Sequence, residues 1–366
     1  MAVTQTLRSG AWRVVELITT PLVPADYLDS VAPLRNPSVL RARVEAVRPE
    51  TADSVTLTLR PGRGWQPHAA GQYVRLGVDV DGVRLWRSYS VTSAPDCRDR
   101  TGASRLRDGR FTVTVNAIPG GKVSTHLVRR ARPGMILHLD LPAGEFTLPA
   151  TRPAKTLFVT AGSGITPVMG MLRSHLDELG DVVVVHSART PQAAVFGPEL
   201  RELAGRGRIR LIERHTGTQG RIKAADLDGL VPDLAERETW ACGPNELLDD
   251  IEAHWAQTGI PGALHTERFR PTVVVDGAGG GSVTFTHAGK TIAAGGGEPL
   301  LDAGEAAGVL MPSGCRMGIC FKCVLPLREG AVRDLRDGQV TVAEPGDSIP
   351  VQTCINAAAG DCRIDL

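Results

Sequence analysis

Four cysteines near the C-terminal end of this 366-residue chain constrain it more than any other feature: Cys315, Cys320, Cys323 and Cys354. The first three stand as Cys-x4-Cys-x2-Cys, and the fourth follows after thirty intervening residues. Four thiolates at this spacing hold a [2Fe–2S] cluster. Three of them fall within nine residues, so the chain must curl around the metal. Gly314 and Gly318 permit that curl and let backbone N–H groups point at the sulfurs. Zinc is the alternative, but zinc sites favour paired Cys-x2-Cys knuckles and only one short pair is present. Cys362 is a second candidate for the fourth ligand. Cys354 has the better distance and follows the start of an apolar strand. A cluster carries one electron at a time, so the rest of the chain is expected to supply electrons.

The length allows two or three domains, each with its own core. Charge is nearly balanced, 41 basic against 40 acidic residues, which gives no reason to expect nucleic acid as a partner. The balance is uneven, however. From Thr272 onward there are seven Lys/Arg and eleven Asp/Glu, a net of −4, which leaves +5 for the remainder of a chain whose total is +1. An acidic part beside a basic one suits docking, with an effect that salt screens. Seven cysteines in a chain this long do not read as a secreted disulfide framework, so Cys97, Cys242 and Cys362 are expected as reduced thiols. No apolar run approaches the ~20 residues a membrane span needs. The N-terminus lacks a signal-peptide pattern. These points predict a soluble, cytoplasmic protein.

Residues 1–37 read as an extension in which Trp12, Val14, Val15, Leu17 and Ile18 form one short amphipathic helix closed by Pro21 and Pro24. Residues 38–150 read as strands at Leu40–Val47, Ser54–Leu59, Gln72–Val78 and Phe111–Val115, with a helix at Val123–Arg130; this spacing suggests a small β-barrel. The pattern changes over residues 151–267. Strands at Thr156–Val159, Asp181–His186, Ile209–Glu213, Glu238–Ala241 and Leu264–Glu267 alternate with helices from Pro167, at Pro198–Leu203 and at Glu246–Trp255. That alternation implies an α/β doubly wound parallel sheet. Residues 268–281 hold a linker and the start of a third part, which occupies 272–366. It carries two early strands, a helix at Pro299–Ala307, the cysteine loop and further strands.

Arg87-Ser88-Tyr89-Ser90 lies on a strand of the barrel. A flavin needs a flat partner, a cation for its phosphate and a hydrogen bond near its reactive ring nitrogen; Tyr89, Arg87 and Ser90 can supply them, whereas an exposed Arg beside a core Tyr is the plain alternative. Gly121-Lys122-Val123-Ser124 opens a helix whose N-terminal N–H groups suit phosphate, the plain alternative being a capped loop with Ser124 or Thr125 as the cap. Gly162-Ser163-Gly164-Ile165-Thr166-Pro167 follows a strand and precedes a helix, the position of a dinucleotide pyrophosphate. The third glycine of the usual fingerprint is absent, and Pro167 is expected to start the helix. The next strand ends in His186-Ser187-Ala188-Arg189. It lacks the acid that holds NAD ribose hydroxyls, and Ser187 with Arg189 suits a 2′-phosphate, favouring NADPH over NADH. Arg221 either assists or is a solvated surface residue. Cys242-Gly243-Pro244 ends another strand, where ligands of such sheets bind; Cys242 itself reads as a small buried thiol rather than a nucleophile.

In their order and spacing these motifs resemble the ferredoxin–NADP reductase superfamily, and more closely its single-chain members fused to a C-terminal plant-type ferredoxin. The resemblance covers residues 38–366. It implies a β-barrel flavin-binding domain, an α/β nicotinamide-binding domain and an α+β β-grasp ferredoxin domain. It implies FAD in most fused members and FMN in the phthalate-type branch; the Gly121–Ser124 loop is similar to the FAD type. The cluster segment and the N-terminal extension, read as a strap packed on the body of the protein rather than a partner-binding element, resemble actinobacterial reductases that serve stearoyl-CoA desaturases. Unlike plant reductases, the chain continues past Glu267-Arg268-Phe269 into a linker, and Phe269 is the candidate for the aromatic that shields their flavin.

The expected path runs from NADPH through the flavin and the cluster to a separate oxygenase or a membrane fatty-acyl desaturase, which would be the only tie to a membrane. Ser90 would hydrogen-bond the flavin, Thr166 and Cys242 would shape the nicotinamide site, and no acid–base catalyst is required. Two other functions compete: a self-sufficient reductase of quinones or other small acceptors, and a binding or regulatory module whose cysteines hold zinc.

Overall fold

Among the described residues three sheets follow one another along the chain, each packed on hydrophobic core residues. A computed structural model describes residues 32–36, 39–95, 109–259, 264–269 and 279–366. The helix expected near Trp12, Cys97 and most of the linker lie outside the described residues.

The first sheet is antiparallel, with strands β1 (Arg41–Thr51), β2 (Ser54–Pro61), β3 (Tyr73–Val80), β4 (Val83–Ser90), β5 (Phe111–Asn116) and β6 (Ile136–Leu139) in the order β4-β3-β6-β1-β2-β5. A bridge from Val91 to Val113 joins the end of β4 to β5 and closes the barrel. Strand β3 shows why a barrel forms: Val74, Leu76, Val78 and Val80 are buried while Tyr73, Arg75 and Asp79 alternate with them. In register, Tyr73 faces Ser90, Arg75 faces Ser88 and Gly77 faces Trp86, so these six share one face of the β3–β4 ribbon. Helix α1 (Lys122–Arg130) buries Val123 and Leu127 against the barrel. Strand β6 escaped the sequence reading because four residues are too few for alternation to show.

The second sheet is parallel, with β7 (Lys155–Ala161), β8 (Asp181–Ala188), β9 (Arg210–His215), β10 (Glu238–Gly243) and β11 (Leu264–Arg268) in the order β11-β10-β7-β8-β9. Both faces of its central strands are covered, which is why Val182 to Val185 form an uninterrupted apolar run. Helices α2 (Ile165–His175), α3 (Gly197–Gly205) and α6 (Asn245–Thr258) supply the cover. The short helices α4 (Thr216–Gln219) and α5 (Asp226–Leu230) were not expected from sequence. Two boundaries also need correction. A 3-10 turn over Gly162–Gly164 runs straight into α2, so Pro167 lies in the first turn and does not start the helix. First-turn N–H groups have no partner within the helix, so a proline there removes no hydrogen bond. Helix α1 likewise begins at Lys122, with Gly121 as its cap rather than Ser124 or Thr125.

The barrel and the parallel sheet share a core, since Ala70 and Phe146 pack with Phe158, Met171 and Trp240. Gly170 of α2 touches the barrel so closely that a Cβ there would strike the Val91 carbonyl. Arg173 fixes the contact by donating to the Thr92 carbonyl at 2.7 Å.

The third sheet contains β12 (Gly280–Phe285), β13 (Lys290–Gly295), β14 (Val324–Asp334), β15 (Val340–Ala343) and β17 (Asn356–Ile364) in the order β13-β12-β17-β14-β15, with β16 (Ile349–Gln352) paired to β14. Helix α7 (Leu300–Ala306) packs Leu300 and Leu301 on it. The cysteine loop, residues 312–323, lies between α7 and β14 and faces the barrel.

Candidate functional site

The four cysteines come together as two pairs. Cys323 Sγ lies 3.2 Å from Cys354 Sγ, and Cys315 shares a side-chain hydrogen bond with Cys320. Among the described residues, no three His, Cys, Asp or Glu side chains are grouped as a single metal ion would need. Two pairs suit two iron ions better than one tetrahedral zinc. Cys362 is elsewhere: it lies on β17 opposite Val283, and burial pushes its thiol up to about 11.

The loop is built for anionic sulfur. The Cys315 N–H donates to Cys320 Sγ at 3.2 Å and the Met317 N–H to Cys315 Sγ at 3.3 Å. Backbone groups at Ile319, Lys322 and Gly318 also serve Cys315, Cys320 and Cys354. Within each pair one thiol gives way. The hydrogen bond shared with Cys315 draws Cys320 down to about 5, and the one shared with Cys354 draws Cys323 down to about 7. The curl requires left-handed backbone at Arg316 (φ 61°), Gly318 (φ 74°) and Phe321 (φ 56°). For the two non-glycine residues this costs ~1–3 kcal/mol each. Arg316 is held in place by Asp302, at 2.6 Å, and by Glu305 of α7. Gly314 is needed for space rather than backbone freedom, because a Cβ there would overlap the Cys320 sulfur. The residues present therefore fit a [2Fe–2S] group.

On the barrel, Ser88 and Ser90 each bury a hydroxyl that has no partner. A buried hydroxyl needs a hydrogen-bond partner, and a flavin edge against the β3–β4 face would supply one. Tyr89 packs on the barrel core, where burial raises its phenol well above the usual range. Arg87 donates to the Trp86 carbonyl at 2.7 Å. Its acidity is raised first by burial and then by Arg316, so its guanidinium lies near the cysteine loop as well as near the expected flavin. At α1, no side chain caps the N-terminus. Ser124 instead bonds back to Ile118, which leaves the first-turn amides around Lys122 and Val123 for a phosphate.

The nicotinamide side is assembled by close backbone approach. Gly162 turns with φ 56° and faces open space, while a Cβ on Gly164 would strike the Cys242 carbonyl. The turn Gly162–Gly164 is thus pressed against Cys242-Gly243 at the carboxyl ends of β7 and β10. Thr166 is buried, and its hydroxyl donates to the Ser163 carbonyl at 2.9 Å, so it braces this turn. Ile165 and Pro167 are buried in α2, and Pro244 caps α6. Ser187 is buried at the end of β8 and Arg189 is exposed just beyond it. Arg221 is exposed, and Phe269 is 39% exposed directly after β11.

Three residues that the motifs did not single out complete the site. Glu267 sits opposite Cys242 in the β10–β11 register. Its Oε2 has no partner, and burial pushes its carboxyl up to about 8. Burial, and then the Glu267 charge, raises the Cys242 thiol well above its usual value, so this cysteine is no nucleophile. Tyr73, paired with Ser90, is raised first by burial, then by Cys315, and further by Glu267 and Cys320. It therefore stands between the nicotinamide side and the cysteine loop. Arg75, two residues on, pairs with Asp140, which also accepts from Lys322 of the cysteine loop at 3.1 Å. None of the three carried a local signal: Glu267 reads as an ordinary strand-end acid, and the cysteine loop that meets Tyr73 and Arg75 lies more than 230 positions further along the chain.

Comparison with known proteins gives the same division. Residues 66–148 match the oxidoreductase FAD-binding domain, 158–253 the oxidoreductase NAD-binding domain and 284–357 the 2Fe-2S iron-sulfur cluster binding domain. An NADPH oxidoreductase of Mycobacterium tuberculosis is 47% identical over 97% of this chain and 91% of its own length. The ferredoxin reductase component of a 3-ketosteroid-9-alpha-monooxygenase from Mycolicibacterium smegmatis is 31% identical over 84% of this chain and 91% of its own. In fold, the chain is similar to phthalate dioxygenase reductase, with a TM-score of 0.60 at 21% identity, covering 90% of this chain and 98% of that one.

Proposed function

Because this chain belongs to the family of single-chain oxidoreductases that join FAD-binding, NAD-binding and 2Fe-2S domains, we propose that it draws on NADPH and serves a separate oxygenase or a membrane fatty-acyl desaturase. When bound, a nicotinamide would supply hydride chemistry, and a flavin and a [2Fe–2S] cluster would supply the exchange between electron pairs and single electrons. The chain's own residues do the placing. Ser90 offers its free hydroxyl to the flavin from the face it shares with Tyr73 and Arg75. Thr166 braces the turn that positions the dinucleotide against Cys242. Glu267, neutral at pH 7, holds a proton at its carboxyl beside that junction and keeps charge out of it. Ser187 and Arg189 would hold the 2′-phosphate, a choice supported by the name of the mycobacterial NADPH oxidoreductase.

The observation that carries the reading is the location of the cysteine loop. One side of it lies against the barrel face that bears Ser90, within electrostatic reach of Tyr73. Its other side presents Ile319 and Phe321, 56% and 66% exposed, to a protein acceptor. The names of the relatives point to oxygenases as acceptors of that kind. No helix among the described residues is long and apolar enough to cross a membrane. We place the protein in the cytoplasm, meeting a membrane only through its partner.

The test is a visible spectrum of the purified protein followed by acceptor assays. Flavin and iron–sulfur bands are expected together, with NADPH-driven turnover of a purified oxygenase or desaturase. A colourless protein, or fast quinone turnover with no stimulation of either protein acceptor, would overturn the proposal.

A further inference from the structure

The contact between the barrel and the cysteine loop contains an unexplained charge. Arg75 projects from β3 on the face that carries Ser88 and Trp86. One guanidinium nitrogen, Nη2, pairs with Asp140. The other, Nη1, is buried and has no hydrogen-bond partner. Leaving a buried charged donor unsatisfied is destabilising unless something facing it compensates. What lies before it is the metal loop: a Cβ on Gly314 would reach 3.1 Å from Arg75 Nη1 while overlapping the sulfur of Cys320. Guanidinium and sulfur thus flank the same glycine.

The surroundings hold Arg75 in that position. Asp140 Oδ2 accepts from Lys322 Nζ at 3.1 Å, and Lys322 is the residue before Cys323. Its ammonium rests 4.6 Å from the centre of the Trp86 ring, with Arg75 Cζ 6.0 Å from the same ring. Gly77 gives Trp86 its room, since a Cβ there would collide with it. Two cations and one carboxylate leave one net positive charge at the junction. Arg75 is 14% exposed, so salt screens it weakly.

We propose that Arg75 of the barrel is a positioning residue that tunes the cluster of the neighbouring unit: docked, its free Nη1 raises the reduction potential at the Cys315/Cys320 end. This rests on the reading that the four thiolates hold a [2Fe–2S] group. An electron passed from a reduced flavin to the cluster would make the cluster one charge more negative, with no bond made or broken between the units. A fixed cation beside it favours that state. Coupling of this kind is reciprocal, so reduction tightens docking by the same factor by which docking favours reduction. Oxidation by the acceptor then loosens the contact and readies the unit for the next electron.

The experiment is a redox titration of the purified full-length protein, followed by the iron–sulfur electron paramagnetic resonance signal, for wild type, Arg75→Gln, Arg75→Lys and Asp140→Asn. Arg75→Gln should lower the cluster potential, and Arg75→Lys should retain most of it. Asp140→Asn should raise it, because the carboxylate that offsets the guanidinium is gone. A tenfold change in the one-electron equilibrium reads as about 59 mV. Coincident potentials for Arg75→Gln and wild type would overturn the proposal. So would a fall in both Arg75→Gln and Asp140→Asn, which would assign the effect to loss of docking rather than to charge. A wild-type protein without an iron–sulfur signal would instead remove the underlying site reading.

Discussion

Replacing Glu267 with Gln tests the electrostatics of the nicotinamide side most directly. Its carboxyl is pushed from the usual 4.5 up to about 8 by burial alone, with no partner at Oε2. The folded protein therefore keeps this proton up to about pH 8, whereas the unfolded chain releases it near 4.5. Between those values the folded state binds the extra proton, so its contribution to stability declines as pH rises. Each pH unit in that window is worth about 1.36 kcal/mol, which caps the total near 5 kcal/mol and gives roughly 3 kcal/mol at pH 7. Gln mimics the protonated acid and cannot ionise. The variant should match wild type at about pH 4.5, gain on it through neutrality, and stay level with a fixed advantage above pH 8. Urea unfolding followed by the fluorescence of Trp240 and Trp255, both fully buried in this part of the chain, reads the transition that contains Glu267. A wild-type-to-variant difference that stays flat between pH 5 and 9 would refute the buried, neutral carboxyl.

Other substitutions probe the remaining parts. Gly314→Ala should abolish the iron–sulfur absorption while leaving flavin bound, because the new Cβ takes the space of the Cys320 sulfur; a full cluster spectrum would contradict that packing. Cys320→Ser should abolish reduction of one-electron protein acceptors and spare NADPH-to-flavin transfer in stopped-flow traces; loss of both without unfolding would mean the carriers act in another order. Arg189→Ala should raise KM for NADPH at least tenfold more than for NADH, about 1.4 kcal/mol of discrimination; equal losses would remove the 2′-phosphate assignment. Gly164→Ala, whose Cβ would strike the Cys242 carbonyl, should impair hydride transfer and cost ~1–3 kcal/mol of stability; an unchanged rate and melting temperature would show that the turn is looser than described.

Much of this protein was readable before folding because its signals are local. Cysteine spacing marked the loop where two thiol pairs converge, and alternation in segments such as Tyr73–Val80 separated barrel strands from the apolar runs of the parallel sheet. Glycines at a strand end marked the tight turn at Gly162–Gly164, although Gly164 proved necessary for its approach to Cys242 rather than for backbone freedom. Unreadable features depend on contacts between units distant in sequence. Glu267 looks like an ordinary strand-end acid until β10 and the barrel enclose it. Tyr73 and Arg75 look like the solvent-facing half of an alternating strand until the cysteine loop covers that half. Boundary errors had the same origin: Pro167 is a reasonable helix start on local grounds, but the turn before it is drawn into helix by Gly164 packing on β10.

Charge shows where a sequence-wide argument stops. The part from Thr272 onward is acidic and the remainder basic, which favours their association at a distance. Arg87 follows that sign, since Glu305 and Asp302 of α7 favour its charged form, while Arg316 opposes it. At the metal loop the sign is reversed: the cation Lys322 belongs to the acidic unit and the carboxylate Asp140 to the basic one. Net charge can draw the two units together, yet it cannot select which faces meet. The reversed pair does that, because a rotation that brought the acidic surface of the third unit onto Arg75 would leave Lys322 without Asp140 and Trp86. Orientation is thus set by one exchange of sign at the point where the cysteine loop approaches the β3–β4 face, and it leaves Arg75 beside Gly314 of that loop.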